Sequence, residues 1–443
     1  MTFVLSLLQL VIMKLFGTSG IRRLADRDLV ELALQVGLAI GTKYPKVVVG
    51  RDTRTYGSAI RHAITAGILA AGAQCDDAGI IPTPTVAFAA REFEAGIMIT
   101  ASHNPPQYNG IKLLNPDGSA FSEAQQKEIE DLIEGTVPIN VNWSRIQAGD
   151  SYTTAIEQHI ARICKDFPEG IKIRVVVDAG CGAAYYITSH LLTLLGCDVI
   201  PLNCNANGNF PHDVEPIEAN LSQLMQSVKD NGADLGIAHD GDADRMMAVD
   251  NLGRFISGDK MLAILAQASG SKDIVTTIDA SMCIENLGFK VKRTKVGDPF
   301  VSEELKIFGK FGGEPSGAWV FPQISLCPDG IYAAAQIAAI ASRRKLSDLV
   351  DSIPSYPVIR GNIAGSITEM ADLRQKLISV LNPVSTDSLD GLKLSFKEGW
   401  LLIRPSGTEP KLRLTVEAKN EQSARQLYEN GAKLITEYVQ GFN

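Results

Sequence analysis

The chain has no C-x-x-C pair among its seven cysteines, and an odd count cannot close into a complete disulfide framework. Cys75, Cys164, Cys181, Cys197, Cys204, Cys283 and Cys327 therefore read as small buried hydrophobes in a reducing cytoplasm. A cationic surplus is also missing: 42 Lys and Arg face 50 Asp and Glu, for a net charge of −8. Without a basic face there is no counterion release to drive bulk nucleic-acid binding. Long hydrophobic runs are absent too. Thr2 to Ile12 is apolar but too short to span a bilayer, so no membrane partner is expected. It has neither a basic lead nor a small-residue cleavage site, and Met13 is the expected initiator, with Met13-Lys14-Leu15-Phe16 opening a strand. No G-x-x-x-x-G-K-[ST] loop occurs, and Gly180-Cys181-Gly182 lacks the third glycine of a dinucleotide fingerprint.

What remains is an ordinary globular composition, 45% hydrophobic and 21% charged. At 443 residues the chain exceeds one core and suggests about three domains. Apolar β-branched runs alternate with longer amphipathic stretches, the pattern of α/β layers. Several such runs end in functional-looking loops: Lys46–Gly50 before Arg51-Asp52-Thr53-Arg54, Ile173–Val177 before Asp178, Asp234–Ala238 before Asp240, and Asp273–Thr277 before Ile278-Asp279. This amounts to a weak internal repeat, and open α/β sheets bind ligands at the carboxyl ends of their strands.

Three of the loops carry chemistry. Gly96-Ile97-Met98-Ile99 delivers Ser102 into a turn closed by Asn104-Pro105-Pro106, which holds a hydroxyl where a substrate can reach it. Asp240, Asp242 and Asp244 alternate with small residues, so an extended loop places their carboxylates on one side. Clustered anions need a cation, and an all-oxygen set favours Mg²⁺ or Ca²⁺ over zinc. An EF-hand does not fit, because Arg245 stands where glycine is required and Asn251 where the bidentate glutamate belongs. Arg245 itself is placed to hold a phosphoryl oxygen. Arg404-Pro405-Ser406-Gly407-Thr408 combines a guanidinium, two hydroxyls and free N–H groups, the composition of a phosphate nest. With the overall charge negative, an anionic substrate depends on local cations: Arg22, Arg51, Arg54, Lys112, Arg245, Lys295, Arg404, Lys411 and Arg413 all lie in or beside small-residue turns.

With Gly313-Glu314-Pro315-Ser316-Gly317 added, the four segments in this order resemble the α-D-phosphohexomutase family, from Leu15-Phe16-Gly17-Thr18-Ser19-Gly20-Ile21-Arg22 to Arg413. Within it the length and that opening motif are most similar to phosphoglucosamine mutases, and the Glu314-Pro315-Ser316-Gly317 variant to archaeal members. The resemblance implies three similar α/β mixed-sheet domains and a smaller C-terminal α+β domain around a central cleft. The expected boundaries are 13–148, 149–251, 252–352 and 353–443. It implies that Ser102 carries a phosphoryl group and completes a one-Mg²⁺ site with Asp240, Asp242 and Asp244. A hexose 6-phosphate and its 1-phosphate are then interconverted through a 1,6-bisphosphate.

By the same resemblance Lys112 lies near the reacting hydroxyl as a proton-transfer or charge-stabilising group. Desolvation and a neighbouring cation are expected to lower its pKa. His103 is the adjacent alternative, and Arg22 matches an arginine that reaches the cleft. Glu314 and Ser316 correspond to the sugar-reading loop, and Arg413 accompanies Arg404, Ser406, Gly407 and Thr408 in holding the phosphate. One departure stands out: many members have histidine after Gly317, whereas this chain has Ala318. Glucosamine phosphate is the expected substrate, with mannose and glucose phosphates as alternatives. A sugar-phosphate binder without turnover and a phosphatase are the rival readings; a homodimer is left open as the assembly.

Overall fold

Val47-Val48-Val49 is apolar on both faces, as expected of a strand buried between two helical layers. In the computed structural model, which describes residues 15–17, 20–135, 141–364, 370–405 and 411–440, it forms an interior strand of the first sheet. That sheet contains β1 (Ile21–Leu24), β2 (Lys46–Arg51), β3 (Gln74–Ile80), β4 (Ala95–Ile99) and β5 (Tyr108–Leu114), in the order β1-β5-β4-β2-β3. β2 runs parallel to β3 and β4, while β5 is antiparallel to β4 and to β1.

The second sheet holds β6 (Arg174–Asp178), β7 (Asp198–Leu202), β8 (Leu235–His239) and β9 (Met246–Val249), ordered β7-β6-β8-β9. The third holds β10 (Asp273–Thr277), β11 (Lys290–Thr294), β12 (Phe311–Gly313) and β13 (Trp319–Val320), ordered β11-β10-β12-β13. In both, two parallel pairings are followed by one antiparallel pairing, the same wiring as β3-β2-β4-β5. The weak repeat in the sequence is thus a true structural repeat. Its chemical loops fall at one equivalent place, the reversal between the third strand and the antiparallel fourth: residues 100–107, 240–245 and 314–318. Each reversal holds a residue in the left-handed region: Ser102 (φ 52°), Ala243 (φ 57°) and Gly317 (φ 101°).

The fourth sheet is different. Its strands β14 (Val358–Ala364), β15 (Ser385–Asp387), β16 (Leu392–Phe396), β17 (Gly399–Pro405) and β18 (Lys411–Ala418) are all antiparallel, ordered β14-β18-β17-β16-β15. On β18, Leu412, Leu414 and Val416 point inward while Arg413 is exposed, the period-two alternation of a one-sided sheet. The helix Glu421–Gln440 covers the inner face through Ala424 and Ile435.

Packing divides the molecule unevenly. The first sheet and its helices have their own core, and so does the fourth. The second and third sheets share one continuous core that runs from Val175 and Ile237 through Met261 to Trp319 and Ile331. The fourth unit meets the third through a small apolar patch of Ile278, Trp400 and Leu402. The expected strand start at Met13–Phe16 is corrected. Met13 and Lys14 lie outside the described residues, and Leu15 and Phe16 form no strand; their N–H groups donate to Glu130 Oε1 at 3.0 and 3.2 Å.

Candidate active site

β4 is buried along its whole length and ends at a turn where Ser102, 1% exposed, takes a left-handed backbone. Its hydroxyl donates to Asp240 Oδ2 at 2.7 Å and lies 3.3 Å from His103 Nδ1. Two turns distant by 138 positions are therefore in direct contact.

The aspartates converge as the spacing suggested: one carboxylate oxygen from each of Asp240, Asp242 and Asp244 lies within 4.8 Å of the others. The Arg245 N–H donates to Asp240 Oδ1 at 3.2 Å. Thr83, which carries no motif, grips Asp242 twice, through its hydroxyl to Oδ2 (2.5 Å) and its N–H to the Asp242 carbonyl (2.9 Å). Asp242 Oδ1 is buried without a hydrogen-bond partner among the described residues. An orphaned anionic oxygen within a buried, hard, all-oxygen donor set suits a divalent cation.

Electrostatics agree with that shortage of positive charge. Burial, then Asp242 and Asp244, push the Asp240 carboxyl well above the usual carboxylate range. Burial and Asp242 also push Asp244 up. At Asp242 burial is outweighed by Lys112 and Thr83, which hold it well below that range.

Lys112 bridges Asp242 Oδ2 at 2.7 Å and Asp244 Oδ2 at 2.5 Å. The expectation of a lowered lysine pKa is corrected: burial and, less strongly, Arg22 act that way, but Asp242 and Asp244 overcome them and hold the ammonium well above its ordinary value. His103 is pushed down to about 3 by burial and then by Arg245 and Arg22, so its ring is neutral. Arg22, on β1, donates to Asn104 Oδ1 at 3.0 Å and so reaches the Ser102 turn.

The sugar-loop candidates dock on the strand that follows the aspartates. Ala318 bridges Arg245, Met246 N donates to the Gly317 carbonyl (3.0 Å), and Trp319 Nε1 donates to the Met246 carbonyl (2.7 Å). Glu314 Oε1 accepts Gly297 N–H at 2.6 Å, and Ser316 Oγ stands 3.3 Å from Glu314 Oε2. Burial and then Asp298 push Glu314 up to about 7. Ala318 is buried, so its side chain offers no substitute for a histidine.

Arg404 and Arg413 are direct cross-strand partners on β17 and β18. Like charges facing each other are unfavourable without an anion between them. Asp390 supplies one on one side, 2.8 Å from Arg404 Nη2, while Arg404 Nε is buried without a hydrogen-bond partner among the described residues. Ser406, Gly407 and Thr408 lie outside the described residues, as do Thr18 and Ser19. The local-cation reading is corrected at Arg54: among the described residues its guanidinium donates to the Asp52 carboxylate and to the carbonyls of Ser102, Asn104, Pro105 and Tyr108. Thr83 and Asp390 were missed because neither sits in a recognisable pattern. Only the fold brings them to the site.

Four consecutive family descriptions match the chain: phosphoglucomutase/phosphomannomutase α/β/α domain I over 13–137, domain II over 150–253, domain III over 257–356, and the C-terminal domain over 360–433. A protein of Methanocella arvoryzae named "Probable phosphoglucosamine mutase" is 47% identical over 431 residues, 96% of this chain and 98% of that one. A protein of Methanocaldococcus jannaschii named "Phosphoglucosamine mutase" is 43% identical over 451 residues, covering 96% of this chain and 98% of its own. Among solved structures, a phosphoglucomutase/phosphomannomutase family protein from Burkholderia thailandensis superposes with a TM-score of 0.84 at 26% identity, covering 95% of this chain and 97% of that one. No helix among the described residues is long and apolar enough to cross a membrane.

Proposed function

We propose that this chain, which belongs to the phosphoglucomutase/phosphomannomutase family, is a phosphohexomutase that interconverts glucosamine 6-phosphate and glucosamine 1-phosphate. The observation that carries the reaction class is the Ser102 hydroxyl at 2.7 Å from one of three converging aspartates. The substrate rests on the names of the relatives in Methanocella and Methanocaldococcus, which span nearly the whole chain.

Phosphorylated Ser102 gives its phosphoryl group to the free hydroxyl of the bound monophosphate, forming a 1,6-bisphosphate. The proton lost by the attacking hydroxyl is balanced by the one Ser102 Oγ regains. The bisphosphate turns over, and its other phosphoryl group returns to Ser102. Asp240, Asp242 and Asp244 would hold one Mg²⁺, which supplies charge neutralisation at the transferring group. Lys112, in contact with Asp242 and Asp244, adds positive charge beside the transferring group or passes the proton. His103 and Arg22 border the Ser102 turn, and Arg245 lies between the aspartates and the sugar loop. Glu314 and Ser316 read the sugar hydroxyls, and Arg404 and Arg413, with Ser406, Gly407 and Thr408, hold the phosphate that is not reacting. The four units are 13–148, 149–251, 252–352 and 353–443, and free cysteines throughout suit a reducing cytoplasm.

The test is a parallel assay of glucosamine, glucose and mannose 6-phosphates with Mg²⁺, following 1-phosphate formation by phosphorus NMR. Preference for glucosamine supports the reading; a preference for mannose or glucose moves the substrate within the family. Release of inorganic phosphate instead of a 1-phosphate would make the chain a phosphatase.

A further inference from the structure

Arg54 is 1% exposed, and the reaction as written above leaves it unused. Its five guanidinium N–H groups are all committed. Nη2 donates to the carbonyls of Ser102 (2.8 Å) and Asn104 (2.6 Å), and Nη1 to those of Pro105 (2.8 Å) and Tyr108 (3.0 Å). Nε donates to Asp52 Oδ2 at 3.0 Å, and Phe210 from the second unit covers the guanidinium at 5.0 Å. No donor is left for a substrate phosphate.

The same residue reaches the other side of Ser102 through a relay. Asp52 Oδ2 accepts the Thr100 hydroxyl at 2.7 Å, and Thr100 Oγ1 in turn accepts the Ser102 N–H at 2.8 Å. Arg54, Asp52, Thr100 and Ser102 thus close a ring in which both peptide groups flanking Ser102 are pinned. Such a ring explains how a non-glycine residue is kept at φ 52°. It also sets a distance between loops: a Cβ on Gly241 of the aspartate loop would come within 2.5 Å of the Ser102 carbonyl and 3.7 Å of Arg54 Nη2. The carbonyl that Arg54 holds is therefore the surface on which the aspartate loop rests.

We propose that Arg54 is a positioning residue for phosphoryl transfer, clamping the Ser102 turn so that Oγ faces Asp240 without itself touching substrate. A lysine cannot replace it, because a point charge cannot reach four carbonyls arranged around a planar fork. The proposal rests on the phosphohexomutase reading.

Arg54→Lys and Arg54→Ala are compared with the unaltered protein. The first readout is the rate at which a hexose 1,6-bisphosphate phosphorylates Ser102, followed by intact mass. The second is KM for the 6-phosphate, and the third is amide exchange over residues 100–108. The expected result is a transfer rate lower by about 100-fold, the order produced by a misplacement of about 1 Å. KM should stay within about threefold, and faster exchange should be confined to that turn. Partial recovery of Arg54→Ala by added guanidinium would support the same conclusion. If Arg54→Ala does not fold, Arg54→Lys alone decides. Transfer by Arg54→Lys within about threefold of the unaltered protein overturns the positioning role. So does a loss of KM and melting temperature that accounts for the whole defect. An unaltered protein that never phosphorylates Ser102 overturns the phosphohexomutase reading, and the proposal with it.

Discussion

One oxygen of Asp390 serves two units: it sits 2.8 Å from the Arg404 guanidinium and accepts the Val296 N–H at 3.0 Å. The next residue after Val296 donates to Glu314. Sugar loop and phosphate loop are thereby joined through Gly297, Val296 and Asp390. Asp390 is an internal anion at Arg404, the site where an external phosphate is proposed to bind.

Arg404→Ala is expected to slow both reaction directions alike, since one loop holds the 6-phosphate in one orientation and the 1-phosphate in the other. Loss of a charge-assisted contact is worth roughly 1.5–3 kcal/mol, or about 10- to 150-fold in kcat/KM. The measurement is kcat/KM for both monophosphates, with released bisphosphate quantified. A defect in the 1-phosphate direction alone would refute the shared loop.

Ser102→Ala should abolish turnover while leaving the fold intact, because the hydroxyl's contact with Asp240 is one of several that hold the turn. Fresh unaltered protein should show a fraction of molecules heavier by one phosphoryl group in intact mass. Full activity in the alanine variant removes the phosphoserine mechanism.

Asp242→Asn is expected to remove most of the Mg²⁺-dependent rate. The change deletes one anionic ligand and one of the two carboxylate partners of Lys112, while an amide oxygen can still accept from Thr83. Metal titration of activity is the check. An unchanged Mg²⁺ dependence would place the cation elsewhere.

Lys393 supplies a pH dependence at the join between the third and fourth units. It donates to the Ile278 carbonyl at 2.6 Å and lies 4.2 Å from the Trp400 ring, yet burial and then Arg293 push it down to about 7 from its ordinary 10.5. The folded protein therefore binds this proton less readily than the unfolded chain. Between pH of about 7 and 10.5 the unfolded chain carries more protons here, so stability gains with rising pH; the full penalty stands below 7. Lys393→Met should remove that slope. Melting temperatures of both proteins at pH of about 6.5 and 9 test it, and parallel changes would show that Lys393 does not titrate in this window.

Part of the candidate site was readable because its motifs are local. An Asp-x-Asp-x-Asp run and a serine ahead of Asn-Pro-Pro are each recognisable within a few residues, and the fold brings the two together. Strand periodicity likewise located β2, β6, β8 and β10, since buried parallel strands are unbroken apolar runs. Charge was less legible. Lys112, Arg54 and His103 are ordinary letters whose state depends on which carboxylates and carbonyls surround them. Two aspartates some 130 positions away raise the Lys112 pKa, against the expectation from burial and a neighbouring cation. Arg54 looked like a substrate cation and is consumed by backbone oxygens, because only folding brings Ser102, Asn104, Pro105 and Tyr108 around it. The order of amino acids sets which groups are available. Folding sets which of them face one another, and since Coulomb attraction and desolvation depend on those distances, it also sets the direction in which each titrates.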